Sequence, residues 1–286
     1  MLDVLAPAAR AVIARAPFPK DRLVSLEGME GFDRVSVSDG APSRHARSSA
    51  GSVLGVLGRL RELFAATVEA RSRGFRPVRF STNVKGGRCE ACQGLGVQTV
   101  RLRHLPDLTA PCDACGGKRF RPETLEVRVK GLSIADALDL PLSRAAEMFR
   151  DLTGIGGPLK AAADVGLGYV PLGEATERLS GGEGLRLRLA AALGRAGRSR
   201  TLYLLDEPCA GLHPSDVAQL SAVLLRLAAE GDTVVAVEHH PDLVRVADHV
   251  VDLGPGPGDA GGRLVIEGPP AAIAACSTSR TGASLG

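Results

Sequence analysis

Residues 201–216 have the sequence TLYLLDEPCAGLHPSD, in which a short apolar run is followed directly by Asp206 and Glu207. A continuous apolar run bounded by turn residues is typical of a strand buried on both faces of a parallel sheet. Two carboxylates at the end of such a strand suit a site where one holds hydrated Mg2+ and the other activates an attacking water. Taken alone, the segment is explained more simply as a buried strand that ends in acidic residues.

A second segment of chemical interest lies upstream, where residues 179–183 are LSGGE. It leads into a helical pattern with Leu185, Leu189 and Leu193 on one face. A Ser-Gly-Gly turn at a helix N-terminus offers backbone N–H groups, a hydroxyl and the positive end of the helix dipole to a phosphate. On its own, this turn is weak evidence for a nucleotide site.

The order of the segments is stronger evidence than either segment. After the LSGGE turn and the acidic strand come AGLHPSD (210–216) and a second apolar strand, TVVAV (233–237), which is followed by Glu238 and His239. This is the order found in an ATP-binding cassette (ABC) nucleotide-binding domain. Apolar runs alternate with helical patterns through the last third of the chain, which predicts βαβ crossovers and a parallel sheet. The predicted fold class is therefore α/β of the ABC, P-loop NTPase-like type.

Four of the six cysteines form two C-x2-C pairs, Cys89 with Cys92 and Cys112 with Cys115. Each pair places two thiolates on one turn, and two pairs together supply tetrahedral four-sulfur ligation. The sequence therefore predicts a structural Zn2+ site, inserted in the α/β fold and closed to catalysis because no coordination position is open. Ordinary buried or redox-active cysteines are the disfavoured alternative.

Basic residues gather around the two cysteine pairs, and the segment VQTVRLRHL (97–105) between the pairs alternates like one strand of a hairpin. Two interpretations of the cluster stay open: contacts with nucleic-acid phosphates, or a solvated basic face. The basic residues are Arg88, Arg101, Arg103, His104, Lys118, Arg119 and Arg121.

Composition narrows the possible partners. Aromatic residues make up only 3% of the chain and Trp is absent, which disfavours binding of single strands by stacking. The net charge of +3 is too small to indicate nucleic-acid binding by itself. No signal peptide and no apolar stretch of about 20 residues is evident, so we expect a cytoplasmic protein without a membrane span.

Longer stretches of the chain resemble the C-terminal half of UvrA proteins. The similar stretches include RELFAATVEARSRGFRPVRFSTNVKGGRCEACQGLG (61–96), LPDLTAPCDACGGKRFRPETLEVRVKG (105–131) and VEHHPDLVRVADHVVDLGPG (237–256). The resemblance runs from about residue 31 to residue 270. It implies an ABC ATPase with an inserted zinc module, which acts in nucleotide excision repair as a dimer that scans double-stranded DNA, senses lesions and loads a UvrB-like protein.

The resemblance also implies roles for individual residues. Glu207 would be the general base for ATP hydrolysis, and His239 would hold the γ-phosphate and the attacking water in line. Ser180 and Gly182 would contact a γ-phosphate held by an opposing subunit, and Asp206 would serve Mg2+. The expected nucleotide-contacting residues are Ser180, Gly181, Gly182, Glu183 and Asp206.

The sequence departs from the family in lacking a P-loop, because no G-x4-G-K-[ST] string occurs in it. Residues 51–59 (GSVLGVLGR) have the glycines without the lysine, and Lys160 is not followed by Ser or Thr. The resemblance places the P-loop upstream of Met1. We therefore expect ATP with Mg2+ to bind only in a composite site, with a second UvrA-type chain supplying the P-loop, and the chain to be inactive alone.

Smaller departures occur next to the nucleotide motifs. Gly184 and Leu185 follow the LSGGE turn in place of Ala-Gln, and Cys209 and Ala210 replace two threonines after the acidic strand. These changes indicate relaxed constraint or a divergent lineage. We expect Cys209 and Cys276 to be unligated thiols.

Outside the motifs, the pattern predicts a strand over 33–39, a loop over 40–51 and a helix from Val53 to Val68. Residues 131–160 predict two short amphipathic helices separated by Pro141. The predicted domains are 1–80, a remnant of the ABC core and signature region; 81–130, the zinc module; 131–165, a helical connector; and 166–286, the C-terminal part of the ABC ATPase.

The leading functional interpretation is a UvrA-like DNA-repair ATPase component that is incomplete for hydrolysis alone. The first alternative is a non-enzymatic zinc-containing module that binds DNA or docks UvrB. The second is a gene remnant or part of a drug-resistance UvrA paralogue.

Overall fold

The computed structural model describes residues 2–17, 23–38, 47–100, 108–194, 199–256 and 261–286. Its strands are β1 (Arg34–Ser38), β2 (Val97–Val100), β3 (Leu108–Pro111), β4 (Thr201–Asp206), β5 (Thr233–Val237), β6 (Val250–Gly254) and β7 (Arg263–Gly268). Its helices are α1 (Leu5–Ile13), α2 (Ala50–Val53), α3 (Val56–Ala65), α4 (Val68–Ser72), α5 (Pro122–Leu125), α6 (Ile134–Asp139), α7 (Leu142–Met148), α8 (Gly156–Ala162), α9 (Gly181–Leu193), α10 (Pro214–Ala229), α11 (Pro241–Arg245), α12 (Pro270–Ala274) and α13 (Arg280–Leu285).

The chain divides into two units, neither of which is continuous in sequence. Unit 1 comprises Met1–Pro42, Ser180–Arg186 and Gly197–Gly286, and unit 2 comprises Ser43–Leu179 and Leu187–Ala196. Helix α9 therefore contributes its first turns to unit 1 and the remainder to unit 2.

Unit 1 is built on a three-stranded parallel sheet with the order β1-β4-β5. Strand β4 is central, and its residues from Thr201 to Leu205 are buried. Helix α1 packs Ala6 and Ala9 against Leu202 and Leu204 of this strand. The apolar runs that predicted parallel strands at residues 201–206 and 233–237 are confirmed as β4 and β5.

The two last strands of unit 1 do not extend the parallel sheet. β6 and β7 pair with each other in antiparallel fashion and form a separate two-stranded sheet in the described part of the chain. The prediction of a parallel sheet in the last third of the chain therefore holds for β4 and β5 and is wrong for β6 and β7.

Unit 2 is mostly helical. Leu60 and Phe64 of α3 are buried, and the Phe64 ring lies 5.5 Å from the ring of Phe80 in a short 3-10 turn. Strands β2 and β3 form the hairpin that the alternating pattern predicted. Residues 101–107, which include Arg101, Arg103 and His104, lie outside the described residues.

The helix predicted from Val53 to Val68 is broken into α2, α3 and α4. Gly55 has a φ of +74°, a left-handed conformation that glycine adopts readily, and it separates α2 from α3. Thr67 then caps α4, since its hydroxyl accepts a hydrogen bond from the Ala70 N–H at 3.2 Å. Local breaks therefore interrupt an apolar periodicity that continues across them.

The segment 131–160 contains three helices rather than two. Pro141 separates α6 from α7 as predicted, and α8 begins at Gly156. Helix α6 starts with a capping box in which Ser133 and Asp136 bond each other's backbone N–H groups at 3.1 and 3.2 Å. None of the helices in the described residues is long and apolar enough to cross a membrane.

Leu204 offers a test of the central strand, because its side chain is fully buried between α1 and the sheet. Leu204→Ala should lower the free energy of unfolding by about 3 kcal/mol, through lost burial and the cavity left behind. Leu225→Ala is the matched control, since Leu225 on α10 is 45% exposed. Urea unfolding measures both, and equal losses in the two variants would contradict the assignment of β4 as the core strand.

Candidate nucleotide and metal sites

The acidic residues stand where β4 leaves the sheet. Asp206 is the last residue of β4 and is half-buried, and Glu207 is exposed. Glu207 has a φ of +43°, a left-handed conformation that costs a residue other than glycine about 1 kcal/mol. Its N–H donates to the Val237 carbonyl at 2.9 Å, which anchors the turn on the end of β5. The structure thus places both carboxylates at the carboxyl edge of the parallel sheet.

His239 is at the same edge, one strand away. Asp206 pairs with Val237 in the β4–β5 register, so the residues after the two strands leave the sheet side by side. The His239 side chain is 79% exposed and can be approached from solvent. The structure therefore brings together the ends of the two strands that carry Asp206, Glu207 and His239.

The LSGGE turn forms the N-terminus of α9 through a capping box. The Ser180 N–H donates to Glu183 Oε2 at 2.7 Å, and the Glu183 N–H donates to Ser180 Oγ at 3.2 Å. Gly182 lies against Leu212, because a Cβ at position 182 would stand 2.0 Å from Leu212 Cδ2. The turn and the loop after β4 are thus in contact within unit 1.

Arg186 joins these elements and was missed in the sequence analysis. Its side chain is 4% exposed, lies 3.2 Å from Asp216 Oδ1 and donates a hydrogen bond to Gln219. The arginine therefore ties the first turns of α9 to α10. The available signal was a charged residue beside Leu185 in an apolar helical pattern, which indicates a paired buried charge.

Glu238 was also given no role from the sequence, although it follows an apolar strand as Asp206 does. Burial disfavours its charged form, but the backbone N–H groups of His239, Cys209 and His240 outweigh burial and hold the pKa of Glu238 below its ordinary value. Burial and this neighbouring carboxylate raise the pKa of the Cys209 thiol to about 12. Cys209 is therefore protonated and unreactive at neutral pH.

The four paired cysteines converge in unit 2, with all their sulfur atoms within 4.8 Å of one another. The Sγ atoms of Cys89 and Cys112 are 4.0 Å apart, and those of Cys92 and Cys115 are 3.8 Å apart. Four sulfurs at about 2.3 Å from a central ion in a tetrahedron stand about 3.8 Å from one another. The cluster therefore has the size and donor set to hold a metal ion.

The backbone around the cysteines is fixed by tight turns. The Gly96 N–H donates to Cys92 Sγ at 3.2 Å, as in a turn that supports a thiolate. Gly94 has a φ of +84°, and a Cβ there would stand 1.9 Å from the Thr82 carbonyl oxygen. Only glycine fits this position, because both the conformation and the close approach exclude a side chain.

Several of the described basic residues around the cysteines have partners within unit 2. Arg88 is buried and donates to the Asn83 carbonyl at 3.1 Å. Lys118 pairs with Asp136 at 3.0 Å, and Arg119 pairs with Asp139 at 3.3 Å. The Ser133 hydroxyl and Lys118 lower the pKa of Asp136 to about 2, against the effect of burial. These contacts favour a structural role for much of the cluster.

Relatives at high identity include UvrABC system protein A of Thermus thermophilus, 49% identical over 284 residues that make up 99% of this chain and 30% of that protein. UvrABC system protein A of Vibrio cholerae is 47% identical over 258 residues, 90% of this chain and 27% of that protein. Among solved structures, UvrA2 from Deinococcus radiodurans superposes with a TM-score of 0.83 and 46% identity, covering 90% of this chain and 32% of that chain. The chain belongs to the UvrA family.

The family assignment confirms the ABC-type α/β class predicted from the motifs. The chain spans about a third or less of the length of its UvrA relatives. No protein-family model matches the chain.

Unit 2 of this UvrA-family chain contains a cavity of about 330 Å3 that the sequence analysis missed. Three arginines, Arg47, Arg61 and Arg119, line the cavity, whereas no Asp or Glu is among the described residues around it. Hydroxyl and amide groups line it as well, including those of Ser48, Ser49, Ser52, Thr82, Asn83 and Gln93. Arg119 is paired with Asp139, so the charge that favours an anion in this cavity comes from Arg47 and Arg61. The residues that line the cavity come from distant parts of the sequence, so no short sequence motif predicts the cavity.

The metal site of this UvrA-family chain is tested by Cys112→Ser, since Cys112 is the fully buried member of the cluster. The variant should lose its bound metal and unfold unit 2 at lower temperature, because three thiolates and a hydroxyl bind the ion far more weakly. Cys276→Ser is the control, as this thiol lies outside the cluster. Metal analysis and thermal unfolding measure both variants, and unchanged metal content in Cys112→Ser would refute the four-thiolate assignment.

Proposed function

We propose that this chain supplies the hydrolytic half of a composite ATP site in a UvrA-type protein of nucleotide excision repair. The observation that carries the proposal is the placement of Asp206, Glu207 and His239 at the ends of two adjacent parallel strands. Carboxyl ends of parallel strands are where α/β proteins bind their ligands. The P-loop itself is absent from this sequence.

Each residue then has a distinct task in ATP hydrolysis. Asp206 would hold the hydrated Mg2+, Glu207 would take the proton of the attacking water, and His239 would orient the water against the γ-phosphate. Ser180 and Gly182 contact the γ-phosphate held by the opposing subunit. Because Glu183 occupies the Ser180 N–H, its carboxylate must move for a phosphate to bind there.

The open edge of the sheet supports a P-loop supplied from outside this sequence. In the described residues β5 is one of the two edge strands of this sheet, and its Val235 and Val237 are 37% and 45% exposed. Val251 and Leu253 of β6 are 54% and 64% exposed. Apolar strands left open to water are expected to be covered by a further element. We infer that a strand carrying the P-loop, from a second UvrA-type chain, pairs with β5.

The four-cysteine cluster is proposed to hold structural Zn2+, since thiolate ligands at tetrahedral spacing select zinc over Mg2+ or Ca2+. Four cysteine sulfurs would fill the coordination positions of a tetrahedral ion, so a bound zinc would take no part in hydrolysis. Its task is to hold the β2–β3 hairpin and the turns that flank it.

Double-stranded DNA is the proposed macromolecular substrate, and the cavity lined by arginines is its proposed phosphate contact. Arg47 and Arg61 offer planar cationic groups to an anion, whereas Arg119 in the same lining is paired with Asp139 at 3.3 Å. A UvrB-like protein is the proposed downstream partner, by family membership alone.

The ATPase proposal is tested by adding, as a separate protein, the portion of a UvrA relative that this chain does not match. The chain is mixed with the portion of the Thermus thermophilus relative that it does not match, and ATP turnover is measured. Glu207→Gln should reduce turnover at least about 100-fold, since the general base is lost. Glu230→Gln, which changes an exposed carboxylate on a helix end, should leave turnover unchanged. Absence of turnover with the unsubstituted chain would favour a non-enzymatic DNA-binding module instead.

The DNA contact is tested by Arg61→Ala, read by duplex binding at several salt concentrations. Affinity should fall roughly tenfold, and the slope of log affinity against log salt should shrink by about 1, because one phosphate contact is removed. Arg10→Ala on α1 removes the same charge from unit 1 and is the control. An unchanged salt slope in Arg61→Ala would show that the cavity does not contact the backbone of DNA.

A further inference from the structure

Glu238 directly follows β5, and its side chain is only 4% exposed. A buried carboxylate is costly unless hydrogen-bond donors surround it. Glu238 has such donors on both oxygens. Oε2 accepts from the Cys209 N–H at 2.8 Å, and Oε1 accepts from the N–H groups of His239 at 2.7 Å and His240 at 3.0 Å.

These donors belong to two different segments. Cys209 is in the loop that follows β4, two residues after Glu207, whereas His239 and His240 are in the turn that follows β5. Within the loop, the Ala210 N–H donates to the Glu207 carbonyl at 2.9 Å. One buried charge is therefore shared between the segment that carries Glu207 and the segment that carries His239.

A charged acceptor makes each of these bonds stronger than a bond between neutral groups. The Glu207 N–H also donates to the Val237 carbonyl at 2.9 Å. The loop after β4 is thus attached to the end of β5 at two points, one before Glu238 and one at Glu238. The Cys209 side chain, held in the protonated form, keeps a second negative charge away from the Glu238 carboxylate.

We propose that Glu238 is a positioning residue that locks the Glu207 loop to the His239 turn, so that the two segments keep one fixed spacing. The partners of the Glu238 carboxylate in the structure are backbone N–H groups, so its role is to position other residues. The catalytic consequence rests on the proposed ATPase function, but the lock is a property of unit 1 and can be measured without nucleotide.

The first measurement is amide hydrogen exchange in Glu238→Gln and in the control Glu230→Gln. Glutamine keeps the size of the side chain but carries no charge. Its NH2 group is a donor, so it cannot accept one of the two sets of backbone hydrogen bonds that the Glu238 oxygens accept. Exchange should accelerate at least about tenfold in both segments, residues 207–212 and 238–241, while β4 stays protected. An exchange rate of the Cys209 amide equal to that in Glu230→Gln would overturn the proposal, because Glu238 would then stabilise only the turn that follows β5.

A second variant keeps the test decisive if Glu238→Gln does not fold. Glu238→Asp retains the charge on a side chain one methylene shorter, which can still accept from the N–H groups that follow it in sequence. Residues 207–212 should lose protection while residues 238–241 keep it. Unchanged protection in both segments would show that Glu238 does not hold the two segments together.

ATP turnover by the chain mixed with the unmatched portion of the Thermus thermophilus relative gives the catalytic readout. Glu238→Gln should lower kcat about tenfold and leave KM for ATP within about twofold, because the base is misplaced while nucleotide binding is retained. An unchanged kcat alongside accelerated exchange would overturn the positioning role. No turnover in the unsubstituted protein would contradict the ATPase function, and the exchange pattern would then still decide whether the lock exists.

Discussion

The hydrogen bonding of β4 to β1 on one edge and to β5 on the other is the constraint on which unit 1 depends. Because β4 is buried on both faces, its end cannot shift without exposing core side chains such as Leu204. Asp206 and Glu207 therefore leave the sheet at a fixed point beside the end of β5. The left-handed turn at Glu207 and the hydrogen bond from the Cys209 N–H to the buried Glu238 carboxylate then fix the path of the loop that follows β4.

Unit 2 uses a different source of rigidity. The β2–β3 hairpin is short, and the sulfur atoms of its flanking turns form their own buried cluster. A metal ion held by this cluster would stabilise the hairpin and its flanking turns, which form only a small module. Ion pairs from Lys118 and Arg119 to Asp136 and Asp139 then connect the cysteine turns to α6. Two of the basic side chains that the sequence offered for DNA contact are thus paired with carboxylates inside unit 2.

Features encoded by local pattern were predictable from the sequence. The apolar run at residues 201–206 specifies a buried strand, and the run at residues 233–237 specifies a strand, although β5 is partly exposed. The spacing of the four cysteines specifies their convergence. Features that depend on tertiary contacts were not predictable. The partners of Arg186, the burial of Glu238 and the cavity around Arg61 all join residues distant in sequence. The break at Gly55 was overlooked because the apolar periodicity of the region continues across it.

The central claim is that this chain holds the hydrolytic residues of an ATP site but not the phosphate anchor. The most direct measurement is equilibrium binding of a fluorescent ATP analogue with Mg2+ to the purified, folded chain alone and then with the portion of a UvrA relative that this chain does not match added. The account predicts a Kd above about 1 mM for the chain alone and tighter binding with the added portion. A Kd of about 1 μM for the chain alone would contradict it, because a complete phosphate site would then lie within these 286 residues.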